Sequence, residues 1–304
     1  MSGAPHHDET SETRGILYAG GAYFFWGLVP LYWNLLQGVS PLEVTLHRIL
    51  WCSLFGLAVT AGRRRLGHFL AVIRTPRLLG ALAASSLLIT VNWTLYMYGV
   101  ATHQLVEASL GYYMTPLVSI ALGVVMLGEK ISRLRVAAIA LAAVAVGVQT
   151  YSLGHIPWLA PGLALSFGFY GYVRKLTPVD ALDGLTLETC LLLPVAAVAV
   201  ALRALDGSGA FPAATLSRDV FLILTGPLTA LPLVMFAAGA RRIRMTTLGF
   251  LQYLSPTITL LVATLALGEP FTHTNTIAFG CIWTALVLVS TEGRFGFLSR
   301  RVAE

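Results

Sequence analysis

The feature that most restricts this chain is a series of long stretches without one charged residue. Gly15–Leu42, Leu78–Val106, Ala108–Gly128, Val136–Val173, Val220–Ala240, Met245–Gly268 and Pro270–Thr291 contain no Asp, Glu, Lys or Arg. A bilayer core needs about 20 apolar residues per helix, so each run is long enough to cross it. Val136–Val173 spans 38 residues and contains the turn-forming Tyr151-Ser-Leu-Gly-His-Ile-Pro157, so it divides into two helices. Two further spans carry charge near their starts: Leu42–Ala61 with Glu43 and Arg48, and Leu185–Leu205 with Glu188. The predicted spans are 15–36, 42–61, 78–98, 104–127, 136–151, 157–173, 185–205, 219–240, 246–267 and 275–292. Backbone polar groups in hydrocarbon must pair within the segment, which makes these spans helices. No segment shows the period-two alternation of a membrane barrel strand.

Composition excludes most other classes. Of 304 residues, 11% are charged and 56% hydrophobic, with a mean hydropathy of +0.76. A soluble domain carries about 25% charged residues. The formal net charge of +6 comes from basic residues scattered between apolar runs, so no nucleic-acid partner is expected. Cys52, Cys190 and Cys281 all lie inside apolar runs, as small buried hydrophobes do, and imply neither a disulfide framework nor a thiolate metal site. No metal and no cofactor are expected.

The basic residues fix an orientation. The N-terminal tail and the loops after even-numbered spans hold 17 Lys and Arg, and the loops after odd-numbered spans hold 2, Arg203 and Arg218. The positive-inside rule then puts both termini in the cytoplasm. Residues 1–14 read as a disordered cytoplasmic tail and 293–304 as a basic cytoplasmic tail.

The chain also matches itself at an offset of 140. Tyr113-Met-Thr-Pro116 aligns with Tyr253-Leu-Ser-Pro256, Leu127-Gly-Glu129 with Leu267-Gly-Glu269, and Gly99 with Gly239. Trp26-Gly27 parallels Tyr170-Gly171, and Glu43 parallels Glu188. Residues 15–151 and 157–292 thus read as two five-helix repeats. Five is odd, so the second enters the membrane inverted, and the loop charges reverse accordingly: Lys130, Arg133 and Arg135 become Pro270, His273 and Asn275. The fold class is all-α: a polytopic membrane protein of ten transmembrane helices in two inverted repeats. Such repeats mark secondary transporters, with the site at the repeat interface. Duplication without alternating access is the alternative.

Ionisable groups inside a membrane are costly, and each is a candidate for function. Glu43, His47, Arg48, Asn92 and Glu107 fall at compatible depths in the outer half of the first repeat. Arg48 could clamp an anionic or strongly polar part of a solute, pair statically with Glu43 or Glu107, or snorkel to the outer headgroups. His47 or a desolvated carboxylate could carry a coupling proton, or His47 could bond to a neighbouring helix. The second repeat keeps Glu188 but places Leu192 and Leu193 where the first has His47 and Arg48, leaving Gln252 and Tyr253 as its polar remnants. Glu129 and Glu269, at helix ends, read as caps or interface anchors. Trp26, Trp93, Tyr112, Tyr113 and Tyr170 could line a cavity or simply pack, as could Tyr96. Pro116 and Pro256 free the carbonyls of Tyr112 and Gln252 and serve as gating bends or packing kinks.

These motifs together resemble the EamA-type branch of the drug/metabolite transporter superfamily: Ala22-Tyr-Phe-Phe-Trp-Gly27, Glu43-x-x-x-His47-Arg48-x-x-Trp51, Asn92-Trp93, and Gly111-Tyr-Tyr-Met-Thr-Pro116 followed by Leu127-Gly-Glu129. The resemblance covers residues 14–295. It implies a bacterial inner-membrane permease or exporter with a central cavity lined by helices 1–4 and 6–9 and with helices 5 and 10 peripheral. It names no substrate. The expected partners are a small-molecule solute and membrane lipid, with protons and a second copy of the chain as further candidates. Neither an ATP-binding loop nor an H-E-x-x-H occurs, so ATP-driven transport and a membrane enzyme are disfavoured, with a channel as the remaining rival.

Overall fold

The computed structural model describes residues 9–102, 104–212, 215–266 and 272–301. Among these residues every regular element is helical: α1 (Glu9–Trp33), a 3₁₀ turn (Asn34–Leu36), α2 (Pro41–Gly62), α3 (Leu66–Ile73), α4 (Pro76–Ala101), α5 (Leu105–Leu127), α6 (Arg133–Leu153), α7 (Leu159–Leu176), α8 (Ala181–Leu205), α9 (Leu216–Ala240), α10 (Met245–Gln252), α11 (Leu254–Leu265) and α12 (His273–Arg301). Eight helical segments are long and apolar enough to cross a membrane, the adjoining α10 and α11 counting as one. Of the longer helices, α1 and α7 fall outside that set. Tyr, Trp and Gly dilute α1, and α7 is 18 residues long with Arg174 and Lys175 in its last turn.

Several boundaries differ from the sequence reading. Helix α1 begins at Glu9, so residues 9–14, read as tail, are helical, while 1–8 lie outside the described residues. Helix α12 continues to Arg301 through the stretch read as a basic tail. The short α3 fills a segment expected to be loop and buries Phe69 and Val72 against Leu82, Val179 and Leu187. Helix α5 runs unbroken through Pro116. The equivalent span is split at Tyr253 into α10 and α11. Leu267-Gly-Glu269 lies outside the described residues.

The packing has a recurrent pattern. Helix α1 packs on α9, α10 and α11, and α7 packs on α4 and α5. Helix α2 faces α8, α5 faces α10, and α6 faces α12. The last contact is a small-residue seam in which Ala138, Ala142 and Ala145 of α6 and Ala278 and Ala285 of α12 are fully buried. Small side chains let membrane helices approach closely. The α2–α9 contact relies on Gly226, where a Cβ would lie 2.4 Å from the backbone carbon of Trp51. At the centre, Tyr23 and Trp26 of α1, Phe167 and Tyr170 of α7 and Phe236 of α9 form one aromatic cluster, with Tyr170 stacked on Phe236 at 5.8 Å.

Candidate functional site

Helix α2 presents two different polar faces. Its N-terminus is set by Ser40, whose hydroxyl accepts from the Glu43 N–H at 3.2 Å, with Pro41 in the first turn. Glu43 and His47 are four residues apart and share a face. Glu43 accepts from Arg203 Nε and from the Ala210 N–H at 3.0 Å, and lies 3.6 Å from His47 Nε2. His47 Nδ1 accepts from Trp51 Nε1 at 3.1 Å on its own helix, not from a neighbouring one. Phe211 packs on His47 and Trp51, so the loop after α8 closes over this face. Ser208 gives its N–H to Asp206 at 2.8 Å, and its hydrogen bonds hold the Asp206 carboxyl below the usual carboxylate range.

Arg48 points elsewhere. Its Nε donates to Thr229 Oγ1 at 3.0 Å. Its guanidinium carbon lies 4.8 Å from the Trp93 ring centroid and 5.4 Å from that of Trp33. Tyr96, Tyr112 and Cys52 are its electrostatic neighbours, and among the described residues no carboxylate pairs with it. The expected alternatives of an ion pair with Glu43 or Glu107 are both corrected here, because those carboxylates are engaged elsewhere. The head group reaches Thr229, which sits near the middle of α9. A small cleft of about 30 Å³ adjoins Arg48 between Trp26, Tyr32, Trp33 and Thr229. On insertion scales an arginine costs about 2.5–3.5 kcal/mol at the centre of a membrane helix and less towards its ends. Cation–π contacts of about 2 kcal/mol each when desolvated, with an interhelical hydrogen bond of about 0.6–2 kcal/mol, are large enough to hold the charge without neutralising it.

The other expected site residues separate from Arg48. Asn92 donates to the Leu163 carbonyl and Ser166 Oγ, both at 3.0 Å, and so ties α4 to α7. Glu107 accepts from the Leu159 N–H, capping α7, with His155 Nε2 at 3.2 Å. Tyr113 and Tyr253 pack towards α12: Tyr113 meets Phe279, and the Tyr253 hydroxyl donates to the Tyr113 carbonyl at 3.3 Å. Gln252 lies beside the Tyr23 hydroxyl at the α10–α11 break, with its Oε1 and Tyr23 Oη buried without hydrogen-bond partners. Tyr170 donates to Glu188 at 3.3 Å. Tyr112 meets Tyr96 and is 46% exposed, although Arg48 and Tyr96 lie near it. Trp26, Trp93, Tyr112 and Arg48 thus converge with Thr229 and Trp33, two residues the sequence did not single out.

The opposite end of the bundle holds a second polar assembly. Arg174 Nη1 lies 3.4 Å from Glu188 Oε1, and Nη2 donates to the Ala181 carbonyl at 3.2 Å. Ser85 donates to the same carboxylate. Glu129 caps α10, accepting from the N–H groups of Met245 at 2.7 Å and Thr246 at 2.9 Å. Arg65 pairs with Asp183 at 3.1 Å and Asp180 at 3.5 Å. Arg241 donates to the Val179 carbonyl, and burial lowers its pKa. A separate cleft of about 460 Å³, lined by Phe25, Phe55, Val59, Arg63 and Leu231, is apolar apart from Arg63 and lies away from this chemistry.

The helices and the buried polar clusters define a multi-pass α-helical membrane protein. The EamA-like transporter family profile matches residues 13–151. An uncharacterized transporter of Vibrio cholerae is 39% identical over 97% of this chain and 98% of its own. Protein RarD of Escherichia coli is 39% identical over 92% and 95%, and the chloramphenicol-sensitive protein RarD of Pseudomonas aeruginosa is 29% identical over 92% and 94%. A solved crystal structure shares the fold at a TM-score of 0.69 and 19% identity, over 92% of this chain and 98% of its own. The chain belongs to the EamA-like transporters of the drug/metabolite transporter superfamily, in their RarD-like group. It is a membrane transporter whose partners are a small-molecule solute and lipid.

Proposed function

We propose that the protein is a secondary transporter working by alternating access, built from two inverted repeats of five spans and carrying its solute past Arg48. The carrying observation is that the main interhelical contacts survive exchange of the two halves. With α1, α2, α4, α5 and α6 mapped onto α7, α8, α9, α10–α11 and α12, the α1–α9 contact becomes α7–α4, and α1 on α10–α11 becomes α7 on α5. The contacts α2–α8, α5–α10 and α6–α12 map onto themselves. A two-fold of that kind supports two related states in which opposite ends of the bundle open.

On this reading both termini lie in the cytoplasm of a bacterial inner membrane. The Glu43 and Glu107 contacts close the outer end, and the Glu129 and Arg65 contacts close the inner one. A proton gradient drives the cycle, with the buried Glu43–His47 pair as the carrier, and a homodimer is compatible with the architecture. Lys130 and His273 are both exposed, so Lys130→Cys and His273→Cys test the inversion. Impermeant thiol reagents should reach the first from the cytoplasm and the second from outside. Labelling of both from one side overturns the inverted repeat. Flux in proteoliposomes with and without a pH gradient tests the coupling.

A further inference from the structure

We infer that the Arg48 site takes a small aromatic carboxylate: a single planar negative charge on a ring-bearing body. The class of solute rests on four observations. First, among the described residues no carboxylate pairs with Arg48. Glu43 is held by Arg203 and the Ala210 N–H, Glu107 by the Leu159 N–H, and the electrostatic neighbours of Arg48 are two phenols and a thiol, which are ordinarily neutral at pH 7. Second, Thr229 occupies Nε alone, leaving the two terminal amino groups as a fork for a two-oxygen anion. Third, Trp33 and Trp93 both lie against the guanidinium, and Trp26 and Tyr32 continue the aromatic lining of the cleft, which at about 30 Å³ holds water alone in this state and has to widen for a ring to stack there. Fourth, the charge is single, because Leu192 and Leu193 stand where the other half has His47 and Arg48. A neutral solute would offer the two terminal amino groups no charged acceptor, and a cation would be repelled by the guanidinium.

The consequence for transport rests on the function proposed above, but the binding does not. The test uses the full chain in detergent, with tryptophan fluorescence and thermal stabilisation as readouts. The probes are benzoate, phenylacetate and indole-3-acetate, each compared with its own amide, together with benzylamine. Each acid should bind at least tenfold tighter than its amide, with benzylamine weakest. Arg48→Gln should abolish the acid–amide difference, and Arg63→Gln should preserve it. The acid–amide comparison on the unaltered chain needs no variant to fold. Equal binding of acids and amides, no binding of any acid, or undiminished acid binding by Arg48→Gln overturns the inference. Counterflow of the bound acid in proteoliposomes separates the two claims. An acid that binds but does not cross counts against transport alone, whereas flux of a neutral or cationic solute indifferent to Arg48→Gln counts against the anion alone.

Discussion

Two arginines sit inside this bundle, and their surroundings could hardly differ more. Arg174 is fully buried, paired with Glu188 and bonded to the Ala181 carbonyl, with Gly184 so close that a Cβ there would lie 2.1 Å from Nη1. Arg48 is held by one hydroxyl and two indole faces and borders a cleft. A buried charge that brings its own counter-ion and leaves no room around it fixes helices in place. A half-buried charge with no carboxylate beside it among the described residues, next to a small cleft, is poised for a ligand. Burial alone therefore does not single out a functional charge in a membrane protein; whether the chain itself supplies a partner is the sharper criterion.

That contrast can be broken in order of expected effect. Arg174→Leu leaves Glu188 unpaired, and losing one partner of a buried pair costs about 3–5 kcal/mol. A large loss of folded protein should appear by size-exclusion chromatography, and Arg174→Leu with Glu188→Leu should recover much of it. Gly226→Leu comes next. It forces α9 from the Trp51 backbone and should cost about 1–3 kcal/mol by overpacking, while also parting Thr229 from Arg48. A thermal melt and the ligand titration together would register both. Glu129→Gln weakens the α10 cap, so a smaller loss of about 0.5–2 kcal/mol is expected by the scale of cap deletions. Arg48→Gln should change the melt least, by under about 1 kcal/mol, because the cost of burying the charge disappears with its contacts. Its transport should nevertheless fall at least tenfold. A stability loss matching that of Arg174→Leu would make Arg48 a packing residue.

The helices were legible because uncharged runs of bilayer length leave few alternatives. The short α3 was not, since eight residues among arginines give no such run. Its buried Phe69 and Val72 are visible only against α4 and α8. The site was half legible. Depth along each span could be counted, and it put Glu43, His47, Arg48, Asn92 and Glu107 at compatible depths in the outer half. Depth says nothing about azimuth. At about 100° per residue, Glu43 and Arg48 are roughly 140° apart on α2, which already argues against their pairing. Thr229 carried no signal, being one hydroxyl in an apolar span. Arg174 was counted with the loops because it ends a run, yet it lies inside α7 and is wholly buried.

If the proposed cycle operates, the Arg48 cleft opens to each side in turn, whereas the Arg174 cluster stays closed to both. The direct measurement places one cysteine at Thr229 or at Ser85 in a chain lacking Cys52, Cys190 and Cys281. An impermeant thiol reagent is then applied to right-side-out and inside-out vesicles. Thr229→Cys should be modified from both sides and Ser85→Cys from neither. Modification of Thr229→Cys from one side only, or from none, would contradict alternating access through this cleft.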